Sequence, residues 1–217
     1  MISEEEAKDR GLHLIIGKEI DDKYIQSLKA MSLHKEAVEQ VADDFKIVYT
    51  PLNGTGNKLA NRILKEIGFK NIYVVEEQKD PNGDFPTLEY PNPEDPKAFK
   101  LALELAEKVD ADIVLANDPD ADRIGLHVKD SKTGKYILFN GNMIGLSIAE
   151  YLIAENKAKG TLKPNTALIK TIVSSNMTDQ ICKYNGVKLY ETLTGFKNIA
   201  SVMKSLEKEG KYTSIMG

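Results

Sequence analysis

Three aspartates at alternate positions form the segment of this sequence that is best suited to chemistry. Asp118, Asp120 and Asp122 lie in the run Asn-Asp-Pro-Asp-Ala-Asp-Arg, directly after the apolar residues 113–116. In an extended or turning loop, alternate side chains can converge on one hard cation, which prefers oxygen ligands. Mg²⁺ is therefore the predicted metal. Arg123 follows directly, and its guanidinium is suited to gripping a phosphate that also contacts the cation.

Other interpretations of this acidic loop are weighed against the metal site. A solvated Asp-Pro turn between two strands would need no metal. A calcium EF-hand loop also begins Asp-x-Asp-x-Asp, but it requires Gly at the position of Arg123 and Glu at the position of Lys129, so it is excluded. A strand followed by Asp-x-Asp also resembles the haloacid-dehalogenase phosphatases, with Asp118 as nucleophile and Asp120 as general acid/base. Asp122 stands where those enzymes usually have Thr or Val, and their later Lys and paired-Asp motif is not evident downstream.

Alternating strand and helix patterns position the acidic loop. Apolar residues at helical spacing predict one or two helices within 21–44, and the β-rich run 45–50 then enters a glycine loop. The elements predicted next are helix 58–67, strand 72–75, a long surface loop over 79–96, helix 97–109, and strands 113–116 and 124–128. The acidic loop thus follows the carboxyl end of a buried strand, which is the edge where open α/β sheets bind ligands.

The same pattern repeats after the hairpin-like segment 130–135. The sequence predicts helix 142–154, strand 166–171, helix 176–184, strand 187–190, helix 197–208, and a strand beginning within 211–217. We therefore predict an α/β fold of two consecutive α/β domains with mixed sheets flanked by helices, the second one truncated. The domains are assigned to 1–138 and 139–217, with the boundary within 136–141.

Composition narrows the class of protein. The 217 residues carry a net charge of -4 and no Lys/Arg-rich run, which disfavours nucleic acid and anionic membranes as partners. No apolar stretch approaches the ~18 residues of a membrane span, and the first residues do not resemble a signal peptide. Cys182 is the single cysteine, so it is expected to be buried on a helix rather than bridged or catalytic. These features predict a soluble, cytoplasmic protein.

Four motifs in order resemble the α-D-phosphohexomutases, the family of phosphoglucomutase and phosphomannomutase. They are Thr-Pro-Leu-Asn-Gly-Thr-Gly at 50–56, Asn-Gly-Asp-Phe-Pro-Thr at 82–87 with Pro-Asn-Pro-Glu at 91–94, the acidic loop at 118–123, and Glu-Thr-Leu-Thr-Gly-Phe-Lys at 191–197. The first three resemble the second domain of that family, including its magnesium loop, and the last resembles its third-domain Thr-Gly-(Phe/Trp)-Lys loop. Together, in this order, they are specific.

The resemblance implies a role for each residue of the acidic loop. In the family, a phosphoserine on the first of four domains exchanges phosphoryl groups with a hexose monophosphate through a bisphosphate intermediate. Asp118, Asp120 and Asp122 would hold Mg²⁺ against that phosphoserine, where the cation neutralises charge on the transferred group. Arg123 would steady the same phosphate.

The resemblance also implies a substrate loop in the second half of the chain. Thr194, Gly195 and Lys197 would contact the phosphosugar through backbone N–H groups and an ammonium, with Lys197 also near the reacting phosphate. Arg123 and Lys197 are therefore the candidate catalytic residues. Without the family context, an ordinary helix start would be the favoured explanation of this loop, with Thr194 as the cap and Lys197 solvated.

Departures from the family pattern shape the remaining expectations. Asn53 stands where the family usually has His, and an amide cannot shuttle a proton. Gly54 and Gly56 are expected to allow tight backbone turning, since no Lys-Ser/Thr pair follows as a P-loop requires. No serine is followed by His, so the nucleophile motif is not in the chain. The resemblance thus implies that the missing first and fourth domains and a hexose phosphate are the partners, and that the chain alone lacks mutase activity. A non-catalytic metal- or phosphosugar-binding module remains the alternative.

Overall fold

Helices and strands alternate along most of the chain. The computed structural model describes residues 2–217. The helices are α1 Glu4–Asp9, α2 Lys18–Met31, α3 Lys35–Val41, α4 Asn57–Ile67, α5 Lys100–Val109, α6 Gly141–Ala158, α7 Met177–Asn185 and α8 Phe196–Glu209, with short 3₁₀ turns at Glu76–Gln78 and Pro96–Phe99. The strands are β1 Lys46–Thr50, β2 Asn71–Val74, β3 Ile113–Asn117, β4 Ile124–Lys129, β5 Tyr136–Phe139, β6 Thr166–Thr171, β7 Lys188–Thr192 and β8 Thr213–Met216.

The first sheet is mixed and has the strand order β2-β1-β3-β4-β5. Strand β1 runs parallel to β2 and β3, whereas β3, β4 and β5 are successively antiparallel. Val48 and Val114 lie in the core on β1 and β3, and α5 approaches them through fully buried Ala102 and Ala106. Because β1 and β3 are parallel neighbours, the loops that follow them, 51–56 and 118–123, meet at one edge of the sheet.

The second sheet has the order β7-β6-β8, and its three described strands are parallel. Alternate residues of β6 point to opposite faces: Leu168 packs in one apolar cluster, whereas Ala167 and Ile169 pack in another with α8 residue Leu206. Cys182 of α7 lies in the Leu168 cluster and is 1% exposed, and burial raises the pKa of its thiol to about 11. The prediction that this cysteine is a buried helix residue is confirmed.

Helix α6 connects the two α/β units by direct hydrogen bonds. The Tyr151 hydroxyl accepts the backbone N–H groups of Leu33 (3.1 Å) and His34 (3.0 Å), at the corner between α2 and α3. The His34 ring Nδ1 also lies 2.9 Å from the Glu155 Oε1. The first unit is therefore attached to the second at a point distant in sequence from their connecting segment.

The structure confirms two consecutive α/β units and adds elements that were not predicted. Strand β5 occupies Tyr136–Phe139, where only a domain boundary was expected, so the assigned boundary at 138 falls inside this strand. Helix α1 was not predicted either. The proposed strand within 211–217 is present as β8, and the loop 79–96 contains no regular helix or strand. Within residues 2–217, every helix is too short or too polar to cross a membrane.

Candidate metal centre

The acidic loop joins the antiparallel strands β3 and β4 and brings its three aspartates together. One carboxylate oxygen from each of Asp118, Asp120 and Asp122 lies within 4.8 Å of the others. Asp118 is buried, and the other two are exposed. The loop turns sharply because Ala121 adopts a φ of 60° and its N–H donates to the Asp118 carbonyl at 3.0 Å. The three aspartates, which lie at alternate positions in the sequence, are thus neighbours in space.

This arrangement of oxygens fits a small divalent cation. Octahedral Mg²⁺ binds oxygen at about 2.1 Å, which places its ligand atoms roughly 3 to 4 Å apart. The observed spread of up to 4.8 Å would close to that range by small rotations of the Asp120 and Asp122 side chains, which are exposed and therefore free to turn. Magnesium also keeps several waters when bound in proteins, and the two exposed carboxylates leave room for them.

Arg123 fixes the buried carboxylate of the loop. Its backbone N–H donates to Asp118 Oδ1 at 2.9 Å, and its Nε donates to Asp118 Oδ2 at 2.7 Å. Burial opposes ionisation of Asp118, but these bonds outweigh burial, so the pKa of this carboxyl is lowered. At Asp122, partial desolvation and the negative charges of Asp118 and Asp120 raise the pKa. The anionic cluster therefore lacks a full counter-charge, which a divalent cation would supply.

The glycine loop lies against the acidic loop. Thr55 donates both its N–H (2.8 Å) and its hydroxyl (3.0 Å) to the Pro119 carbonyl. A Cβ on Gly54 would lie 2.3 Å from the Pro119 Cα, and a Cβ on Gly56 would lie 2.7 Å from the Tyr49 hydroxyl. Gly54 is needed because two backbones approach closely there, and any side chain would separate them. At Gly56 the space is instead occupied by side chains, of which the Tyr49 hydroxyl is the nearest.

The expectation that these glycines provide the tight turn is wrong. Neither Gly54 nor Gly56 has a positive φ; the left-handed conformations belong to Leu52 (φ 48°) and Asn53 (φ 58°). The turn is therefore formed by Leu52 and Asn53, directly before Gly54. Leu52 is fully buried in the apolar core, so its packing holds a backbone conformation that non-glycine residues rarely adopt.

Asn53 anchors the segment that follows β2. It is 5% exposed, and its Nδ2 donates to the backbone oxygens of Glu77 (3.3 Å) and Asp80 (3.1 Å). Its own N–H donates to the Gln78 carbonyl at 2.9 Å. The Oδ1 atom is buried and has no hydrogen-bond partner among the described residues. The side chain thus acts as a donor to the main chain, which an amide does well and a carboxylate cannot.

Asn92 and Asn117 support the metal loop, and sequence reasoning did not assign them this role. Arg123 Nη1 donates to Asn92 Oδ1 at 3.2 Å, and the Asn117 Nδ2 donates to the Arg123 carbonyl at 2.8 Å. The Tyr49 hydroxyl in turn donates to Asn117 Oδ1 at 3.2 Å, and burial raises the pKa of that phenol. The sequence positions of these two asparagines could have indicated the role. Asn92 lies in the Pro-Asn-Pro-Glu motif, and Asn117 directly precedes the first aspartate.

The predicted substrate residues lie elsewhere, at the carboxyl edge of the second sheet. Thr194, Gly195 and Lys197 are exposed between β7 and α8. Gly195 has a φ of 116°, which favours glycine, and serves as the N-cap of α8 without any side-chain cap. Thr194 is therefore not the cap that an ordinary helix start would use. The acidic loop follows β3 of the first sheet, whereas Thr194, Gly195 and Lys197 follow β7 of the second sheet, so the structure places the two sets of residues on separate units.

Comparisons with known proteins find the same family in both halves of the chain. The profile of the phosphoglucomutase/phosphomannomutase α/β/α domain II matches residues 22–134, and that of domain III matches residues 140–212. The phosphoglucomutase of Staphylococcus epidermidis (strain RP62A) is 36% identical over 169 residues, which cover 78% of this chain and 30% of that protein. The phosphoglucomutase of Staphylococcus aureus (strain N315) is 38% identical over 164 residues, covering 76% of this chain and 29% of that protein.

A solved structure shows the same fold. The phosphoglucomutase/phosphomannomutase family protein from Burkholderia thailandensis superposes with a TM-score of 0.58 at 22% identity, covering 93% of this chain and 44% of that one. The chain thus spans about 30% of the length of the curated relatives it matches. With both domain profiles matched in order, the chain belongs to the phosphoglucomutase/phosphomannomutase family, of which it contains α/β/α domains II and III.

Proposed function

We propose that this chain provides the metal loop and the sugar-phosphate loop of a phosphohexomutase that interconverts hexose 1-phosphate and hexose 6-phosphate. The observation that carries the proposal is the convergence of Asp118, Asp120 and Asp122 within 4.8 Å, in a chain of this family. The name phosphoglucomutase, borne by its relatives, suggests a glucose phosphate as substrate. The phosphoserine would be carried by another domain.

In this proposal, Asp118, Asp120 and Asp122 hold Mg²⁺. The bound cation supplies charge neutralisation to the phosphoryl group in transfer. The three aspartates have different tasks. Asp118 is buried and bonded on both oxygens by Arg123, so it stays ionised and fixed. The exposed Asp120 and Asp122 adjust to the cation when it binds.

Arg123 orients the phosphate in this proposal. Its guanidinium has five N–H donors, of which Nε serves Asp118 and one at Nη1 serves Asn92. The remaining donors are left for a phosphate, and the side chain is 46% exposed, so a ligand can reach it. Two protein acceptors thus hold the guanidinium plane in place beside the metal. A pre-oriented cation of this kind stabilises developing charge without reorganisation.

Thr194, Gly195 and Lys197 bind the phosphosugar in this proposal. Gly195 lies at the amino end of α8, where unpaired backbone N–H groups favour an anion. The exposed Lys197 in the first turn adds a mobile positive charge. Since these residues lie on a different unit from the acidic loop, the substrate must bridge two α/β units, and positioning supplies most of the catalysis in such transfers.

A haloacid-dehalogenase type of phosphatase is not favoured by this geometry. That chemistry would need Asp118 as an accessible nucleophile. Asp118 is 1% exposed, and both of its oxygens accept hydrogen bonds from Arg123. A carboxylate so engaged is a poor nucleophile, because attack through either oxygen would compete with the hydrogen bond that this oxygen accepts.

Calorimetric titration of the chain with Mg²⁺ tests the proposal. Wild-type protein is compared with Asp120→Asn and with the control Asp44→Asn, an exposed aspartate outside the acidic loop. Saturable binding that Asp120→Asn weakens by about tenfold or more, and that Asp44→Asn leaves unchanged, is expected from loss of one of three charged ligands. Equal binding by Asp120→Asn and wild type would refute the metal assignment.

Adding a separate first domain that bears phosphoserine tests the rest of the proposal. If wild-type chain binds no Mg²⁺ alone but binds it with that domain present, the phosphate completes the site. If binding also fails in the mixture, the acidic loop is only a turn. Hexose 1- and 6-phosphate interconversion by the chain alone, at an enzyme-like rate, would contradict the assignment of the phosphoserine to another domain.

A further inference from the structure

Lys170 is a buried cation that the proposed chemistry does not use. It is the penultimate residue of β6, and its side chain is 3% exposed. Its Nζ donates to Asn176 Oδ1 at 2.9 Å and lies 3.0 Å from Glu191 Oε2 and 3.6 Å from Asp179 Oδ2. A buried ammonium is costly unless its three donors find acceptors. These four residues, here named the Lys170 cluster, therefore form one charged unit.

The Lys170 cluster joins two loops at the carboxyl edge of the second sheet. Glu191 is the register partner of Lys170 on β7 and precedes the loop that contains Thr194. Asn176 and Asp179 are the N-cap and first-turn residues of α7. The cluster thus connects the end of β7 to the start of α7 through a residue of the central strand.

The charges show that the Lys170 cluster does not itself bind an anion. Two carboxylates outweigh one ammonium, so a phosphate would meet net repulsion. Nor is a buried ion pair an efficient source of stability, because apolar residues of similar size usually do as well. A backbone hydrogen bond from the Ile172 N–H to the Thr192 carbonyl, at 2.9 Å, also links the segments that follow β6 and β7. The buried charge therefore contributes mainly to the geometry of the loops.

We propose that Lys170 is a positioning residue that holds the segment 192–198 in the conformation that presents Thr194, Gly195 and Lys197 to a hexose monophosphate. This inference rests on the proposed function of that loop. In this inference Lys170 acts on the loop through Glu191, its register partner on β7, whose Oε2 lies 3.0 Å from the Lys170 Nζ. The segment needs such support because its side chains are largely exposed and the amino end of α8 has no side-chain cap. The side-chain hydrogen bond within it, from Asn198 Nδ2 to the Thr194 carbonyl at 2.9 Å, does not attach the segment to the sheet.

Amide hydrogen exchange of two carboxylate variants tests the positioning role. Glu191→Ala is expected to accelerate exchange in 192–198 about tenfold, consistent with losing one hydrogen bond to a charged group, while 177–179 are unchanged. Asp179→Ala is expected to accelerate exchange in 177–179 and to leave exchange in 192–198 unchanged. Glu207→Ala, an exposed glutamate on α8, is the matched control. A role in global stability alone would raise exchange throughout the second sheet instead.

Lys170→Met extends the test by removing the ammonium and keeping an unbranched side chain. Both loops are expected to exchange faster in this variant. If Lys170→Met does not fold because two carboxylates lose their partner, the carboxylate variants still decide the question. Exchange in 192–198 that is the same in Glu191→Ala and Glu207→Ala would overturn the inference.

Titration with glucose 6-phosphate separates this inference from the proposed function. Amide chemical shifts of residues 194–197 report binding in wild type and in Glu191→Ala. Binding that Glu191→Ala weakens about tenfold, in line with the exchange change, supports both ideas. If wild type does not bind glucose 6-phosphate but the carboxylate variants show the expected exchange pattern, the proposed substrate role of the loop is wrong. In that case the ordering of the loop by Lys170 is still supported. Equal binding by both proteins overturns the positioning role.

Discussion

Replacing Gly54 with alanine is expected to push the glycine loop away from the acidic loop. The added Cβ would lie 2.3 Å from the Pro119 Cα and 2.5 Å from the Pro119 carbonyl oxygen. Carbon atoms pack best at about 3.5–4.0 Å, so the two backbones must separate by more than about 1 Å. The obstacle is main chain, so no side-chain rotation can relieve the clash. The two hydrogen bonds from Thr55 to Pro119 would lengthen or break.

The size of the effect follows from these contacts. Overpacking costs about 1–3 kcal/mol, and a lost hydrogen bond adds about 1 kcal/mol. We expect Gly54→Ala to lower the free energy of unfolding by about 2–4 kcal/mol, measured by urea denaturation with circular dichroism. Pro119 lies between Asp118 and Asp120, so Mg²⁺ affinity should also fall although every carboxylate remains.

Gly83→Ala is the matched control for this prediction. Gly83 is also in a loop, its φ is not positive, and a Cβ there would have no heavy atom within 4 Å. It should change stability by no more than about 0.5 kcal/mol. If Gly54→Ala and Gly83→Ala unfolded at the same urea concentration with equal Mg²⁺ affinity, close approach of the two loops would not explain the glycine.

Further predictions concern buried groups outside the metal loop. Burial lowers the pKa of His127 from 6.5, so the unfolded state binds the proton more readily. Stability should therefore be retained above about pH 6.5 and should fall as the pH is lowered below that value. In urea unfolding measured across pH, His127→Gln should reduce the dependence of stability on pH, whereas His13→Gln, at an exposed histidine, should not. An equal pH dependence in wild type and both variants would refute the assignment of this effect to His127. Cys182, with a pKa near 11, should react with a disulfide reagent at about pH 8 only after unfolding, and fast reaction of the native protein would contradict its burial. Tyr136→Phe should cost about 1–2 kcal/mol, because the single proton of its hydroxyl is shared between the main-chain oxygens of Ala106 (3.0 Å) and Ala111 (2.7 Å). An unchanged urea midpoint would show that water replaces this donor.

Much of the fold could be predicted because strong local patterns decided it. Strand β6 begins and ends where the sequence indicated, since its apolar residues form a short run bounded by turn residues. Helix α4 ends before Gly68, as its spacing and that glycine suggested. The convergence of the three aspartates was also predictable, because alternate positions in a short loop have few ways to stay apart.

The remaining features depend on contacts between distant parts of the chain. Strand β5 has only four residues, and it is stabilised by pairing with β4 rather than by a pattern of its own. Gly54 resembled a turn residue, and only the parallel pairing of β1 with β3 reveals that it faces Pro119. Lys170 resembled an ordinary strand lysine, since the register that sets it beside Glu191 cannot be read from either strand alone.

The buried amide of Asn53 also affects how the protein ages. An asparagine followed by glycine is prone to deamidation, in which the glycine nitrogen attacks the side-chain carbonyl carbon, ammonia leaves, and water then opens the cyclic imide to give a carboxylate. Here the Gly54 N–H donates to the Pro51 carbonyl at 2.8 Å, and the amide nitrogen of Asn53 is held by two main-chain oxygens. The folded loop therefore resists the reaction. Where it does occur, the new carboxylate would face those same oxygens without a proton to donate, so one slow chemical event would remove both of these contacts.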